Sequence, residues 1–346
     1  MTESEREERI SRALAHADAA AGQDVARFIQ EFRAKFFAEQ RQESRTRSAV
    51  WTVRSLSTTR SAPPPSPIRL ATVRTESEMA QDPRYVKNFR ALMLRKASAK
   101  RIIGGVSVGH SDFPDCVAVG SDERWYCSGT LIAPDAILTA GHCNCSKKKD
   151  IPTRVFFGSN VESEGKTVSV REVIRHSGYK ARRRSVSNDM MVLLLEEKVP
   201  PKVALPRPLA STQLIDKATE VRLVGFGAED ESGEYGYGTK RQTDVAVASN
   251  DCTGTVVGMS DEERYCCIPN LEMVAGQPAL MKDTCSGDSG GPLYIADSRS
   301  RWFLAGVTSR GIPSQVEGRA CGDGGVYPRV DRYREWIESA AGAKLG

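Results

Sequence analysis

The chain has 346 residues, of which 40% are hydrophobic, 7% aromatic and 27% charged, with a formal net charge of +5. Residues 1–100 hold 19 Lys and Arg against 12 Asp and Glu and the remainder 30 against 32, so the basic excess belongs to the first hundred residues. That excess is scattered among acids without aromatic interleaving, which excludes a nucleic-acid partner in favour of a solvated surface, and the lack of any apolar run of about 18 residues excludes a membrane-spanning helix.

The N-terminus, Met1 to Ile10, is charged where a secretory signal needs a short basic start and an apolar stretch, so no Sec-type export signal is read there. Within residues 4–43, Val25, Phe28, Ile29, Phe32 and Phe36 recur at helical spacing and Gly22-Gln-Asp24 marks an interruption, so two short helices are predicted. Their single apolar stripe cannot bury itself. It must dock on the rest of the chain, on another copy or on a protein partner. Residues 48–57 alternate like one strand, and Ala62-Pro-Pro-Pro-Ser-Pro67 reads as a stiff linker. Over residues 84–96 the spacing of Tyr85, Val86, Phe89, Leu92 and Met93 predicts another helix, after which the chain reaches Lys100-Arg101 and then Ile102-Ile-Gly-Gly105.

Beyond Arg101, short apolar segments recur between turn residues, at 117–119, 129–132, 155–157, 167–173, 191–195, 221–224, 245–248, 303–307 and 326–330. Many short strands with turn punctuation predict an all-β barrel or sandwich. Residues 331–340, with Tyr333, Trp336 and Ile337 on one face, predict a closing helix. All nine cysteines, at 116, 127, 143, 145, 252, 266, 267, 285 and 321, also fall beyond Arg101, the pattern of a disulfide-bearing domain. Their spacing is not that of a zinc site, and neither metal nor cofactor is expected. The missing export signal points to a cytoplasmic protein, whereas the cysteines point to an extracellular or periplasmic one.

The stretch from Asp283 to Leu293, Asp-Thr-Cys-Ser-Gly-Asp-Ser-Gly-Gly-Pro-Leu, sets the hydroxyl of Ser289 in a glycine-rich loop as a candidate nucleophile. Gly287 and Gly290 flank it, so the backbone N–H groups of Gly287 and Ser289 can turn toward the oxygen of a reacting carbonyl and form an oxyanion hole. His142, in Leu138-Thr-Ala-Gly-His-Cys143, is the candidate general base. An imidazole of unperturbed pKa about 6.5 takes a serine proton and returns it near neutral pH. Asp189 heads the apolar run from Met190 to Leu195 and would fix the tautomer of His142. His16, His110 and His176 read as polar surface residues.

These motifs, in the order His142, Asp189, Ser289, resemble the chymotrypsin/trypsin family of serine endopeptidases from Arg101 onward. The resemblance implies a mainly β fold of two six-stranded antiparallel barrels with the active site between them and a C-terminal helix. Residues 1–61 then form a helical extension, residues 62–101 a proline-rich linker and propeptide helix, and residues 102–346 the protease domain. It implies a precursor cut after Arg101, whose new Ile102 ammonium pairs with Asp288. Asp283 would floor the primary pocket and select Arg or Lys before the cleaved bond, Gly311 and Gly325 would leave that pocket open, and Ser309 would stand beside Asp189. Disulfides are implied between Cys127 and Cys143, Cys252 and Cys266, and Cys285 and Cys321, leaving Cys116, Cys145 and Cys267 unassigned.

Departures from the family are also legible. Arg310 stands where tryptophan is usual, the loop over residues 312–320 is long, and Arg222 and Ile295 lie where a further cysteine pair is often found. In layout the chain is similar to intracellular bacterial members with helical N-terminal regions, some of which process a pore-forming partner in defence systems. A secreted or periplasmic digestive-type protease, or a protease-like binding module, are the other readings.

Overall fold

A computed structural model describes residues 82–98, 106–107, 112–145, 150–182, 185–227, 237–256, 258–276, 287–312 and 324–346. The predicted elements at 4–43, 48–57 and 62–67 lie outside these, as do Arg101, Ile102, Asp283, Cys285 and Cys321.

The first described element is helix α1 (Pro83–Ser98), followed by the short strand β1 (Val106–Ser107). The next strands are β2 (Cys116–Gly120), β3 (Trp125–Ala133), β4 (Ala136–Thr139), β5 (Arg154–Phe157), β6 (Lys166–Arg175), the hairpin of β7 (Lys180–Arg182) and β8 (Ser185–Ser187), and β9 (Met191–Leu195). Strands β2, β3, β4, β9, β6 and β5 close into a barrel in that order. Register shifts at Val119/Gly120, Leu131/Ala133 and Val170/Glu172 bend its strands, the usual means of curling a sheet into closure. Val117, Val119, Leu131, Ile137, Val155, Val168 and Leu193 fill it.

Helix α2 (Thr212–Asp216) leads to β10 (Glu220–Gly225) and β11 (Arg241–Ser249), then the hairpin of β12 (Thr255–Val256) and β13 (Met259–Ser260), helix α3 (Asp261–Tyr265), β14 (Glu272–Gly276), β15 (Pro292–Ala296), β16 (Trp302–Val307), β17 (Arg310–Gly311) and β18 (Gly325–Pro328). These strands make the second half of the expected mainly β fold. Among the described residues the ladder runs β16-β15-β10-β11-β14-β18-β17, with β1 on β11, and forms a half-barrel. One isolated bridge, Gly306 with Arg329, links its ends. After β16, Thr308 exchanges its backbone N–H and C=O with Gly291 and Gly290 of the Ser289 turn, at 2.9 and 2.8 Å, and the chain then rejoins the sheet at β17 on β18.

Val224, Phe226, Tyr294, Leu304 and Val307 of the second half join the core of the first barrel, so one apolar core runs through both halves. At the end of the chain a 3-10 turn, Val330–Tyr333, passes into helix α4 (Arg334–Ala341), whose Ile337 is fully buried. Tyr85, Phe89 and Leu92 of α1 are buried as well, and residues from Ser77 to Gly346 form one unit. Among the described residues no helix is long and apolar enough to cross a membrane.

Candidate active site

His142 occupies a 3-10 turn, Gly141–Cys143, that begins as soon as β4 ends. Asp189 precedes β9, which pairs with β4, so the ladder that joins the two strands also places the two side chains. Before Asp189, Asn188 takes a left-handed backbone, φ 51°, which turns the chain into the strand. The carboxylate then holds the histidine twice: the backbone N–H of His142 donates to Oδ1 at 2.8 Å, and ring Nδ1 stands 2.8 Å from Oδ2. An ionised carboxylate only accepts, so the proton sits on Nδ1 and leaves Nε2 as a base. Ser309 donates from Oγ to the same Oδ2 at 2.5 Å.

Burial alone would raise the Asp189 pKa, since its side chain is 0% exposed. The charge and ring hydrogen bond of His142, the Ser309 hydroxyl and the His142 N–H more than offset this and hold it below the ordinary aspartate value. The His142 ring remains 28% exposed and so opens onto the cleft.

The Ser289 turn is pressed against this pair. Its carbonyl accepts from the Ser128 N–H at 2.8 Å, and Cys143 Sγ lies 3.6 Å from the same oxygen. Ser128 Oγ donates to Gly287 O at 3.0 Å and accepts from the Phe226 N–H at 3.1 Å, tying β3 to the loop. Gly287 and Gly290 have φ of 98° and 79°, the left-handed region that only glycine enters cheaply. A Cβ on Gly290 would stand 2.0 Å from Thr139 Oγ1, so glycine there lets the serine turn approach the end of β4, just before the His142 turn.

Asp288 Oδ1 accepts from the Gly227 N–H at 2.8 Å. A Cβ on Gly225 or Gly227 would fall 2.0 or 2.5 Å from its carboxylate atoms, so Gly225-Phe-Gly227 is a cradle for that carboxylate, and sequence reasoning missed it. The repeated glycines around one phenylalanine were the available signal. Gly311 and Gly325 face each other in the register of β17 and β18.

One sequence reading changes. Cys127 and Cys143 are joined, but Cys252 pairs with Cys267 rather than Cys266. Cys266 caps α3 in a left-handed conformation, φ 54°, and is a half-buried free thiol, whereas Cys252 and Cys267 share the interior. Cys116 and Cys145 are also free. The ring of His142 lies close to both sulfurs of the Cys127–Cys143 bridge, but bridged sulfurs are not metal ligands.

Arg310 turns inward. Its guanidinium donates to both oxygens of Glu272, at 2.8 and 2.6 Å, and to Cys266 O at 2.7 Å. Glu272 is 1% exposed and also accepts from the Ile268 N–H at 2.7 Å. Burial raises its pKa, and Arg310 opposes the rise without cancelling it. Sequence reasoning did not single out Glu272.

A family profile described as Trypsin matches residues 102–337. The chain belongs to the trypsin family. Transmembrane protease serine 11G of Mus musculus is 31% identical over 244 residues, covering 69% of this chain and 55% of that protein. The Rattus norvegicus 11G protein is 28% identical over 271 residues, covering 76% and 61%. The structure of neuropsin, a serine protease expressed in the limbic system of mouse brain, superposes with a TM-score of 0.54 at 26% identity, covering 69% of this chain and 99% of that one. The chain thus carries a trypsin-like serine protease domain, and spans little more than half the length of the curated relatives. These relatives are rodent proteins and lend no support to a bacterial source.

Proposed function

We propose that the protein is a serine endopeptidase that cleaves after Arg or Lys and is made as a precursor opened between Arg101 and Ile102. The observation that carries this is the double hold of Asp189 on His142, completed by Ser309, beside the Ser289 turn. Ser289 Oγ attacks the substrate carbonyl while His142 Nε2 accepts its proton. The N–H groups of Gly287 and Ser289 receive the oxyanion, and His142 returns the proton to the leaving amine. Water then releases the acyl group from Ser289 by the same proton relay. Asp283 supplies the charge that selects Arg or Lys, and Gly311 and Gly325 leave its pocket open.

In this reading the ammonium of Ile102 joins Asp288, whose carboxylate lies so close to Gly225 and Gly227 that a Cβ at either position would collide with it. A buried charge needs such a partner. Residues 1–61 act in recruitment or regulation. The processing of a partner protein in a bacterial defence pathway has only the layout of the chain behind it, and attachment to a membrane only the names of the rodent relatives. The two bridges favour an oxidising compartment over the cytoplasm.

The test is hydrolysis of an arginyl peptide by purified protein cut at Arg101, beside Ser289→Ala. We expect hydrolysis lost in the variant by a factor on the order of 10⁶, and labelling of Ser289 by an organophosphonate in wild type alone. Undiminished hydrolysis by the variant would remove the reading, and an unlabelled wild type would leave a protease-like binding module.

A further inference from the structure

Every disulfide open to this chain lies beyond Arg101, since no cysteine precedes Cys116. A cut at Arg101 therefore leaves no covalent link to the residues before it. Helix α1 nevertheless sits on β11 as part of the protease body. Tyr85, Phe89 and Leu92 are buried along one face, and Asn88 Nδ2 donates to Val247 O on β11 at 2.9 Å.

The N-terminal end of α1 adds an ionic clasp. The Arg84 guanidinium bridges two carboxylates that are both 0% exposed: Nη2 reaches Asp82 Oδ2 at 2.6 Å and Asp261 Oδ1 at 2.5 Å, and Nη1 reaches Asp261 Oδ2 at 3.1 Å. Tyr265 of α3 donates its hydroxyl to Asp82 Oδ2 at 2.7 Å. Asp261 also accepts from Ser249 Oγ at 2.6 Å and from the Gly254 N–H at 2.9 Å, which fixes its carboxylate toward the arginine. Gly254 is part of this fit, because a Cβ there would stand 1.8 Å from Arg84 Nη1. Withdrawal of α1 would leave Asp261 without its guanidinium and uncover the apolar face of β11, whereas a buried charge stripped of its partner is strongly unfavourable.

Strand β1 stands on β11 as well, with Val106 opposite Gln242 and Ser107 opposite Arg241. One strand therefore anchors the chain on both sides of the Arg101–Ile102 bond.

We propose that α1 is a non-covalent second chain of the activated enzyme, held by the Asp82–Arg84–Asp261 clasp and its apolar face, so that cutting after Arg101 does not release residues 1–101. The extension then accompanies the active protease and decides where it acts, in place of a disulfide tether. The proposal rests on the activation reading for its setting.

The experiment uses the full chain, nicked with a trace of trypsin, with both new ends identified by mass and N-terminal sequencing. Size-exclusion chromatography at physiological ionic strength should then show the piece ending at Arg101 eluting in equal amount with the piece beginning at Ile102. Elution of the body alone, still folded by circular dichroism, would overturn the proposal. If trypsin does not cut at Arg101, the activation reading fails on its own. A second version, with a recognition sequence for a site-specific protease inserted after Ala99, then tests retention independently. Arg84→Gln and Gly254→Ala should each raise the dissociation constant of the two pieces at least tenfold, and wild-type affinity in both would overturn the clasp. Should either variant not fold before cutting, the wild-type elution still decides.

Discussion

Among single residues, Asp189 carries the most tightly determined set of partners. A carboxyl whose folded pKa is depressed stabilises the fold above its unfolded value, and that contribution is lost as the pH falls through the lower folded value. For Asp189 the contribution is therefore present above its ordinary value of 3.8 and drains away below it. Asp189→Asn should lose this part of the acid sensitivity, measured as urea midpoints from about pH 2 to about pH 6. An unchanged pH slope would show that the carboxylate is not ionised in the fold. The same variant should lower kcat on an arginyl peptide by a factor on the order of 10⁴, because an amide no longer fixes the proton on Nδ1. His142 could be picked out from its own segment, Asp189 from its place in the order His142, Asp189, Ser289, and Ser309 only through the family resemblance. Glu272 could not, because it is one carboxylate at the head of an apolar strand and its partner Arg310 lies 38 residues away.

Among elements, β14 and β17 meet through that Glu272–Arg310 pair, at a position where the family usually has tryptophan. Removing one member of a buried pair leaves an uncompensated charge at a cost of about 3–5 kcal/mol, whereas replacing both by apolar groups of similar volume is close to neutral. Arg310→Ala should therefore lose about that much stability in urea, and Arg310→Met combined with Glu272→Leu should lose far less. Equal losses would mean that the pair acts through its shape and not its charge. The turn after α3 supplies a second contrast. Cys267→Ser should cost about 2–4 kcal/mol by opening the bridge to Cys252, and Cys266→Ser should cost almost nothing. Peptide mapping of the unreduced protein would show the pairing directly. Adjacent cysteines carry no signal in sequence about which one faces inward. The choice goes with the left-handed cap at Cys266, a backbone feature invisible in the sequence.

Across the whole molecule, the strands could be read from alternation, because each has one face turned into a core. The pairing of Thr308 with the Ser289 turn could not, because Gly290 and Gly291 lie on a separate loop and no local pattern joins them. Helix α1 shows the same division: the stripe of Tyr85, Phe89 and Leu92 announced a helix, but the surface that covers it lies on β11, well over a hundred residues further on. A chain spanning residues 77–346 keeps that surface covered, and one spanning 102–346 does not. Each of the three side chains contributes about 1.5–3 kcal/mol on burial, an upper range because unfolded chains already hide some apolar area. The shorter chain should therefore unfold several kcal/mol more easily in urea and bind an apolar dye, while residues 77–346 should match the full protein. If the two truncated chains are equally stable, the helix rests on the body without supporting it, and the core of this protease domain is complete from Ile102 onward.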